Sequence, residues 1–183
     1  MLFRSPMDKH RCIILIDGSN FYFKLKSLEL HNELAFDFSG FAQRLCSKGK
    51  LVDSVYYVGA VRTDGTKHVQ KLFDKQQKLL AHLKRHKFRY SLGYLLKSQG
   101  KVHEKGVDVN MAIDIVSGAL KDKYDHCILV SSDTDLLPAI LMAKEAGKKV
   151  DYIGFSHQPS LAMVANCSES RLLTKEDLKP FLK

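Results

Sequence analysis

Short apolar runs that alternate with longer helical segments are the feature of this sequence that most restricts its fold. The run CIILI at 12–16 precedes a helical stretch, and the alternation recurs around HCILVSS at 126–132 and KVDYIGF at 149–155. Strands that alternate with crossover helices predict a mostly parallel sheet covered by helices on both faces. We therefore expect one three-layer α/β domain over residues 11–183, preceded by a flexible tail at 1–10.

The positions of the individual elements follow from apolar periodicity and from capping residues. Asp37 is expected to cap a helix at 38–48. His82 and His86 lie one turn apart on a long helix, but without a nearby third ligand they are interpreted as surface residues rather than as a zinc site. The remaining predicted strands are 52–61 and 88–96, and the remaining helices are about ten residues from Asn20, residues 66–87, 107–121 and 134–146, and short helices after Pro159 and Thr174.

The charge balance indicates a polyanionic partner. The 183 residues carry a net charge of +9, which favours nucleic acid or an anionic membrane surface. Nucleic acid is preferred, because we find no long apolar span and no basic helix with a strongly apolar opposite face at either terminus. The cysteines are widely spaced without a CxxC pair, which fits buried thiols in a reducing cytoplasm rather than a disulfide framework. They are Cys12, Cys46, Cys127 and Cys167.

Acidic residues follow two of the predicted strands at the point where each strand ends. The CIILI strand leads into Asp17 and Asn20, and the HCILVSS strand leads into Asp133 and Asp135. Asp108 stands at a third loop-to-helix junction. In an open parallel sheet, functional residues gather at the carboxyl ends of the strands, near the point where the strand order reverses. We therefore expect these carboxylates to converge at one edge of the sheet.

Converging carboxylates predict a bound cation. Such groups repel one another unless a cation lies among them. Oxygen ligands without a nearby cysteine or paired histidine favour Mg²⁺ or Mn²⁺ over zinc. An acidic metal pocket within a basic exterior suits phosphodiester hydrolysis, because the ions activate water, orient the phosphate and stabilise charge on the leaving oxygen. The sequence therefore predicts a metal-dependent nuclease.

Each acidic residue also has a purely structural interpretation. Asp17 and Asp108 each suit a helix N-cap, and Asp135 suits the acidic partner of a Ser132 N-cap. The convergence of separate acidic sites at one edge favours a metal site over independent caps. Asp114 is a weaker candidate, because its distance along the chain from Asp108 corresponds to about 240° around a helix. The two cannot share a face if both are fully helical.

Two groups of lysines are candidates for contact with nucleic acid. Lys71 and Lys75 belong to a stripe on the helix at 66–87, for which a solvated face is the default interpretation. Lys97, Lys101 and Lys105 form the more informative group, because they lie close in the sequence to the proposed acidic site.

In combination and order, these motifs resemble the NYN domains, in particular their LabA-like branch, within the PIN-like nucleases. The resemblance extends from Ile13 to about Leu178. Its motifs are LIDGSNFY at 15–22, VYYVGA at 55–60, KGVDVNMAIDIV at 105–116 and LVSSDTDLLPAILMAKEAGKKV at 129–150, followed by Ser160 and Leu161.

The resemblance implies a Rossmann-like, PIN-like fold and endonucleolytic cleavage of RNA that depends on Mg²⁺ or Mn²⁺. Single-stranded RNA is the expected substrate. The catalytic residues that it implies are Asp17, Asn20, Asp108, Asp133 and Asp135. The metal ligands that it implies are the same four aspartates, with Asp114 as an additional helical acid.

The chain departs from the usual Ser-Gly-Asp-x-Asp-Phe motif of these domains, since it has Ser132 at the glycine position and Leu136 at the aromatic position. Some members of the group are thought to act without cleavage, so a non-catalytic RNA-binding or regulatory module stays open as the alternative. A haloacid-dehalogenase-type phosphatase would need a second aspartate where this chain has Ser19. The sequence leaves the oligomeric state open, a homodimer included.

Overall fold

A computed structural model of the protein describes the backbone at 10–30, 32–98 and 101–182 and, outside 95–104, the side chains of these residues. All of the tail expected at 1–10 except His10 lies outside the described residues. Within them, seven strands form one sheet. The strands are β1 (Arg11–Asp17), β2 (Lys50–Gly59), β3 (Arg89–Ser98), β4 (Lys101–Lys105), β5 (His126–Val130), β6 (Lys149–Phe155) and β7 (Glu169–Leu173).

Helices connect most of the strands. The α-helices are α1 (Gly18–Ser27), α2 (Phe38–Leu45), α3 (Lys67–Arg85), α4 (Val107–Leu120), α5 (Leu137–Glu145), α6 (Leu161–Asn166) and α7 (Lys175–Leu178). Single 3₁₀ turns lie at Glu33–Ala35, Thr134–Leu136 and Lys179–Phe181. The expected cap of α2 is confirmed, because the Asp37 carboxylate accepts a hydrogen bond from the Gly40 N–H at 2.9 Å.

The strand order is β4-β3-β2-β1-β5-β6-β7. β3 and β4 pair antiparallel, and each of the other neighbouring pairs is parallel. The chain moves outward from β1 to β2 and β3, and later returns to β5 on the other side of β1. The order therefore reverses between β1 and β5, and a crevice opens outside the carboxyl ends of these two strands.

Both faces of the sheet are buried around its central strand β1, as the apolar run of that strand predicts. Side chains alternate between the two faces along a strand. Ile14 packs with Phe21 in the cluster beneath α1, α2 and α3, whereas Leu15 packs with Met111 in the cluster beneath α4 and α5. The expected three-layer, Rossmann-like fold with a mostly parallel sheet is confirmed.

The interpretation of His82 and His86 as surface residues is wrong. His82 is buried and its Nε2 lies 2.8 Å from the carbonyl oxygen of Phe36. His86 is half-buried, with its Nδ1 2.8 Å from the hydroxyl of Ser39. Both imidazoles join α3 to the segment around α2, because their side of α3 packs against that segment rather than facing solvent.

The strands β4 and β7 were not expected from the sequence. β7 is exposed apart from Leu173, and β4 has the polar sequence KVHEK. Both are edge strands, which are held by backbone pairing with one neighbour rather than by a buried face. Apolar periodicity therefore does not reveal them. In the described part of the chain, no helix is long and apolar enough to cross a membrane.

Candidate metal centre

Asp17 is the last residue of β1 and faces the crevice at the reversal of the strand order. It is 6% exposed, and both of its carboxylate oxygens accept hydrogen bonds. Oδ1 accepts from the backbone N–H of Asn20 at 2.9 Å, and Oδ2 accepts from the hydroxyl of Ser131 at 3.0 Å. Asp17 therefore caps α1, as the structural interpretation predicts, and also stands at the candidate site.

The turn after Asp17 requires a glycine. A Cβ on Gly18 would lie 2.4 Å from Cε1 of Tyr56 and 2.6 Å from the carbonyl oxygen of Tyr57, so a side chain does not fit. The Tyr56 hydroxyl donates to the Glu33 carboxylate at 2.9 Å. Burial raises the pKa of Glu33, and the hydrogen bond from Tyr56 partly opposes that rise. This buried pair supports the loop that presents Asp17.

Asp133 follows β5 and begins the 3₁₀ turn at Thr134–Leu136. Its Oδ1 accepts from the backbone N–H of Asp135 at 2.9 Å, and its own N–H donates to the Ser131 hydroxyl at 3.1 Å. Ser131, which is 1% exposed, therefore links the loop of Asp133 to the carboxylate of Asp17. Sequence analysis missed Ser131, although its place at the end of β5, two residues before an aspartate, could have revealed it.

The two departures from the family motif, Ser132 and Leu136, both make contacts within the fold. The proposed cap by Ser132 is wrong, since Asp133 occupies the cap position and the Ser132 hydroxyl lies 2.9 Å from that of Tyr152. Leu136 is fully buried in the core beneath α4 and α5. Ser132 and Leu136 therefore pack against the fold, rather than facing the crevice.

Asp108 lies in the first turn of α4, on the other side of the crevice. The turn before it passes through Gly106 at φ +83°, and a Cβ there would lie 2.7 Å from Cε1 of Tyr94. Burial raises the pKa of Asp108, and the negative charges of Asp133, Asp17 and, least, Asp135 raise it further. Repulsion of this kind is what a bound cation relieves.

Asp17, Asp108 and Asp133 come together as the sequence predicts. Each offers a carboxylate oxygen, and these oxygens all lie within 4.8 Å of one another. They line a cavity of about 350 Å³ together with Asn20 and Lys105. A donor set made of carboxylate oxygens fits a hard divalent cation. The three aspartates could therefore hold Mg²⁺ or Mn²⁺.

The structure separates Asp135 and Asp114 from this group. Asp135 is exposed and lies close enough to raise the pKa of Asp108, but it is not among the three converging carboxylates. Asp114 projects from another side of α4, where it accepts a hydrogen bond from the Tyr57 hydroxyl at 2.6 Å and lines a separate cavity with Arg89. Helical periodicity between Asp108 and Asp114 explains the separation.

The predicted basic residues differ in their positions. Lys105 is exposed and lines the acidic cavity. Lys71 and Lys75 are exposed on α3. Lys97 and Lys101 belong to β3 and β4, and their side chains lie outside the described residues. Phe23, which sequence analysis did not select, also lines the acidic cavity.

The fold and this cavity define an α/β protein with a carboxylate-lined cavity where the strand order of a mostly parallel sheet reverses. The sequence model of the NYN domain family matches residues 11–173 of the chain. The chain therefore belongs to the NYN domain family, and that prediction is confirmed.

Two curated proteins and one crystal structure illustrate these relationships. An uncharacterized protein of Methanocaldococcus jannaschii is 28% identical over 151 residues, which cover 82% of this chain and 50% of that protein. The 6-hydroxy-3-succinoylpyridine 3-monooxygenase of Pseudomonas putida is 39% identical over 44 residues, which cover 24% of this chain and 14% of that protein. A protein of unknown function from Vibrio parahaemolyticus shares the fold, with a TM-score of 0.73, 21% identity and coverage of 95% of this chain and 98% of that chain. The chain thus spans half or less of the length of the two curated relatives.

Proposed function

We propose that this protein is a metal-dependent endoribonuclease that hydrolyses phosphodiester bonds in single-stranded RNA. The observation that carries the proposal is the convergence of Asp17, Asp108 and Asp133 within 4.8 Å, in a chain of net charge +9. Membership of the NYN family supports a nuclease-type function. The likeness of the motifs to the LabA-like branch supports RNA as the substrate.

Asp17, Asp108 and Asp133 would hold a Mg²⁺ or Mn²⁺ ion, and Asp135, whose charge acts on Asp108, would contribute from outside this group. When bound, the ion supplies a nucleophilic water and neutralises charge on the phosphate and the leaving oxygen. The oxygen donors support this assignment, because a hard cation prefers them, and the negative charges that add to the effect of burial on Asp108 would also attract the ion.

The other residues of the cavity orient these ligands and the substrate. The Asn20 N–H and the Ser131 hydroxyl each bond one oxygen of Asp17, which holds that carboxylate in one orientation. Lys105 lines the same cavity, where its ammonium group would contact a phosphate adjacent to the scissile one. Lys71 and Lys75, together with Lys97 and Lys101, would attract the rest of the strand through its phosphates.

The cellular compartment is part of the same proposal. The cysteines of the chain are all free and buried. Free thiols are typical of proteins in a reducing compartment, so they support action in the cytoplasm, where RNA substrates are found.

Cleavage of an end-labelled single-stranded RNA by the wild type and two variants tests the proposal. We expect cleavage in Mg²⁺ or Mn²⁺ that leaves 5′-phosphate ends and is abolished by EDTA. Asp133→Asn should slow cleavage at least about 100-fold while RNA binding persists, because it removes one proposed ligand but no basic residue. Asp114→Asn is the matched control on the other side of α4 and should cleave like the wild type.

Identical purification of all three proteins excludes a contaminating nuclease. Equal cleavage by the wild type and Asp133→Asn would contradict the catalytic assignment. RNA binding without cleavage by any of the proteins would favour the non-catalytic regulatory module. Loss of cleavage in Asp114→Asn, with the fold intact, would place the active site differently from our proposal.

A further inference from the structure

Phe23 exposes an aromatic ring at the rim of the acidic cavity. It lies on α1, where Phe21 and Leu25 face the core, so the helical period turns Phe23 outward and leaves it 63% exposed. Phe23 also lines the cavity that contains the converging aspartates. One exposed ring is ordinary on a protein surface, but this one lines the cavity of the converging aspartates and is therefore accessible to a ligand that enters it.

Contacts lead from Phe23 to the basic face of α3. The rings of Phe23 and Tyr22 meet edge to face, with their centroids 5.4 Å apart. The ammonium group of Lys75 lies over the ring of Tyr22, 5.2 Å from its centroid. Lys75 belongs to a row of exposed lysines at helical spacing, which are Lys67, Lys71, Lys75 and Lys78. Aromatic and cationic side chains thus form a continuous surface from the cavity to α3.

We propose that Phe23 stacks on an unpaired base of a nucleic-acid strand whose phosphate enters the acidic cavity, and that the strand continues over Tyr22 and Lys75 along α3. The inference rests on the proposed function and deepens it by assigning the residues that select a single strand. We call Phe23, Tyr22 and Lys75 the stacking track.

The chemistry of the stacking track favours this occupant. Aromatic side chains offer stacking platforms to bases without regard to their identity, and adjacent basic residues neutralise the phosphates between those bases. The bases of a duplex are stacked on one another, so Phe23 cannot engage them without unpairing. A polyanionic strand also matches the charge of the four α3 lysines, whereas a protein partner would need acidic groups opposite them.

Binding in Ca²⁺, a hard cation that also takes carboxylate oxygens and would neutralise the cavity in place of Mg²⁺, tests the role of Phe23. Fluorescence anisotropy with a labelled homopolymeric single-stranded RNA should show that Phe23→Ala weakens binding about 5- to 100-fold, the range for loss of one stacked base. Phe23→Trp should bind like the wild type, because it restores a stacking ring. Leu120→Ala is the matched control, since Leu120 is an equally exposed apolar residue, 70% exposed, near the far end of α4.

Salt dependence and abasic probes separate stacking from charge. Phe23→Ala should leave the slope of log affinity against log salt unchanged, whereas Lys75→Ala should reduce it by about 0.7 for the lost phosphate contact. An abasic residue placed at the stacked position should weaken wild-type binding but have no further effect on Phe23→Ala. Binding of a fully paired duplex should be the same for wild type and Phe23→Ala.

The outcomes distinguish this inference from the proposed function. Wild-type affinity in Phe23→Ala, or equal weakening by Leu120→Ala, would overturn the stacking track even if the enzyme cleaves RNA. Equal loss of single-strand and duplex binding would also overturn it. Selective loss of single-strand binding in Phe23→Ala, without cleavage by the wild type, would support the track while removing the nuclease assignment.

Discussion

Both edges of the sheet carry aspartates. Those at one edge lie beside basic side chains, whereas those at the other edge lie beside one another. At the amino edge, where β1 and β5 begin, the Arg11 guanidinium pairs with Asp122 and Asp125 at 2.8 Å each. Asp151 lies 2.6 Å from Nε2 of His126. Each of these carboxylates has a basic partner from the chain itself. The aspartates of this edge therefore join the loops around the strands.

At the carboxyl edge, the aspartates face one another. Asp17, Asp108 and Asp133 converge, and burial, followed by the repulsion from the neighbouring carboxylates, raises the pKa of Asp108. At the amino edge, hydrogen bonds from Lys148 and Arg11 lower the pKa of Asp122. Asp122 is thus stabilised in its charged form by basic partners of the chain, whereas the charged form of Asp108 is opposed by its acidic neighbours.

Removing Arg11 should produce the largest change in stability. Arg11→Met takes away the charged partner of Asp122 and Asp125. The bonds to the half-buried Asp125 carry the effect, since a hydrogen bond between charged groups contributes about 2 kcal/mol. Thermal unfolding followed by circular dichroism should show a lower Tm, by about 4–8 °C for a chain of this size. RNA cleavage at a permissive temperature should be unchanged. An equal loss of Tm in Arg85→Met, which removes an exposed arginine of α3, would show that the amino edge has no special structural role.

The second prediction concerns pH at the carboxyl edge. The folded pKa of Asp108 lies above its ordinary value of 3.8, so its contribution to stability without metal is present below that value and lost as the pH rises through the folded pKa. A cation also binds only the deprotonated form of the Asp108 carboxylate. Calorimetric affinity for Mn²⁺ should therefore rise with pH through that range, by at most about tenfold per unit for each displaced proton. Asp108→Asn should flatten this dependence, and an identical dependence in that variant would refute the attribution to Asp108.

The smallest effect is expected from Asp17→Asn in EDTA. Asparagine is as good an N-cap as aspartate, so the start of α1 is retained, while one of the repelling charges is removed. The Tm without metal should stay the same or rise by about 2–4 °C, which corresponds to about 1 kcal/mol. A fall of several degrees would instead mean that the negative charge of Asp17 is needed for the capping interaction.

The layers of the fold and the convergence of the acids were predictable from the sequence. A strand such as β1, apolar at successive positions, identifies a sheet buried on both faces, and the residues after such strands identify the edge at which a site forms. Asp17 and Asp133 were found in this way, and Asp108 was found from its place at the start of a predicted helix. The edge strand β4 was not predicted, because a strand held by backbone pairing alone has no apolar pattern in its sequence.

Contacts between distant segments were beyond the reach of sequence periodicity. Ser131 bonds Asp17 across the crevice, a contact between residues far apart in the chain. His82 carries a polar side chain whose burial depends on the carbonyl of Phe36. Both residue types are common on protein surfaces. The position of Ser131 after β5 makes it a candidate, but its bond to Asp17 and the burial of His82 are seen only in the tertiary structure.

The most direct measurement of the central claim is a crystal structure with Mn²⁺, located by its anomalous scattering. We predict a peak among the carboxylates of Asp17, Asp108 and Asp133, bound directly or through one water, and loss of that peak in Asp133→Asn. An absence of manganese from this accessible cavity, or a peak only at the paired aspartates of the amino edge, would contradict the claim that the converging carboxylates form a metal centre.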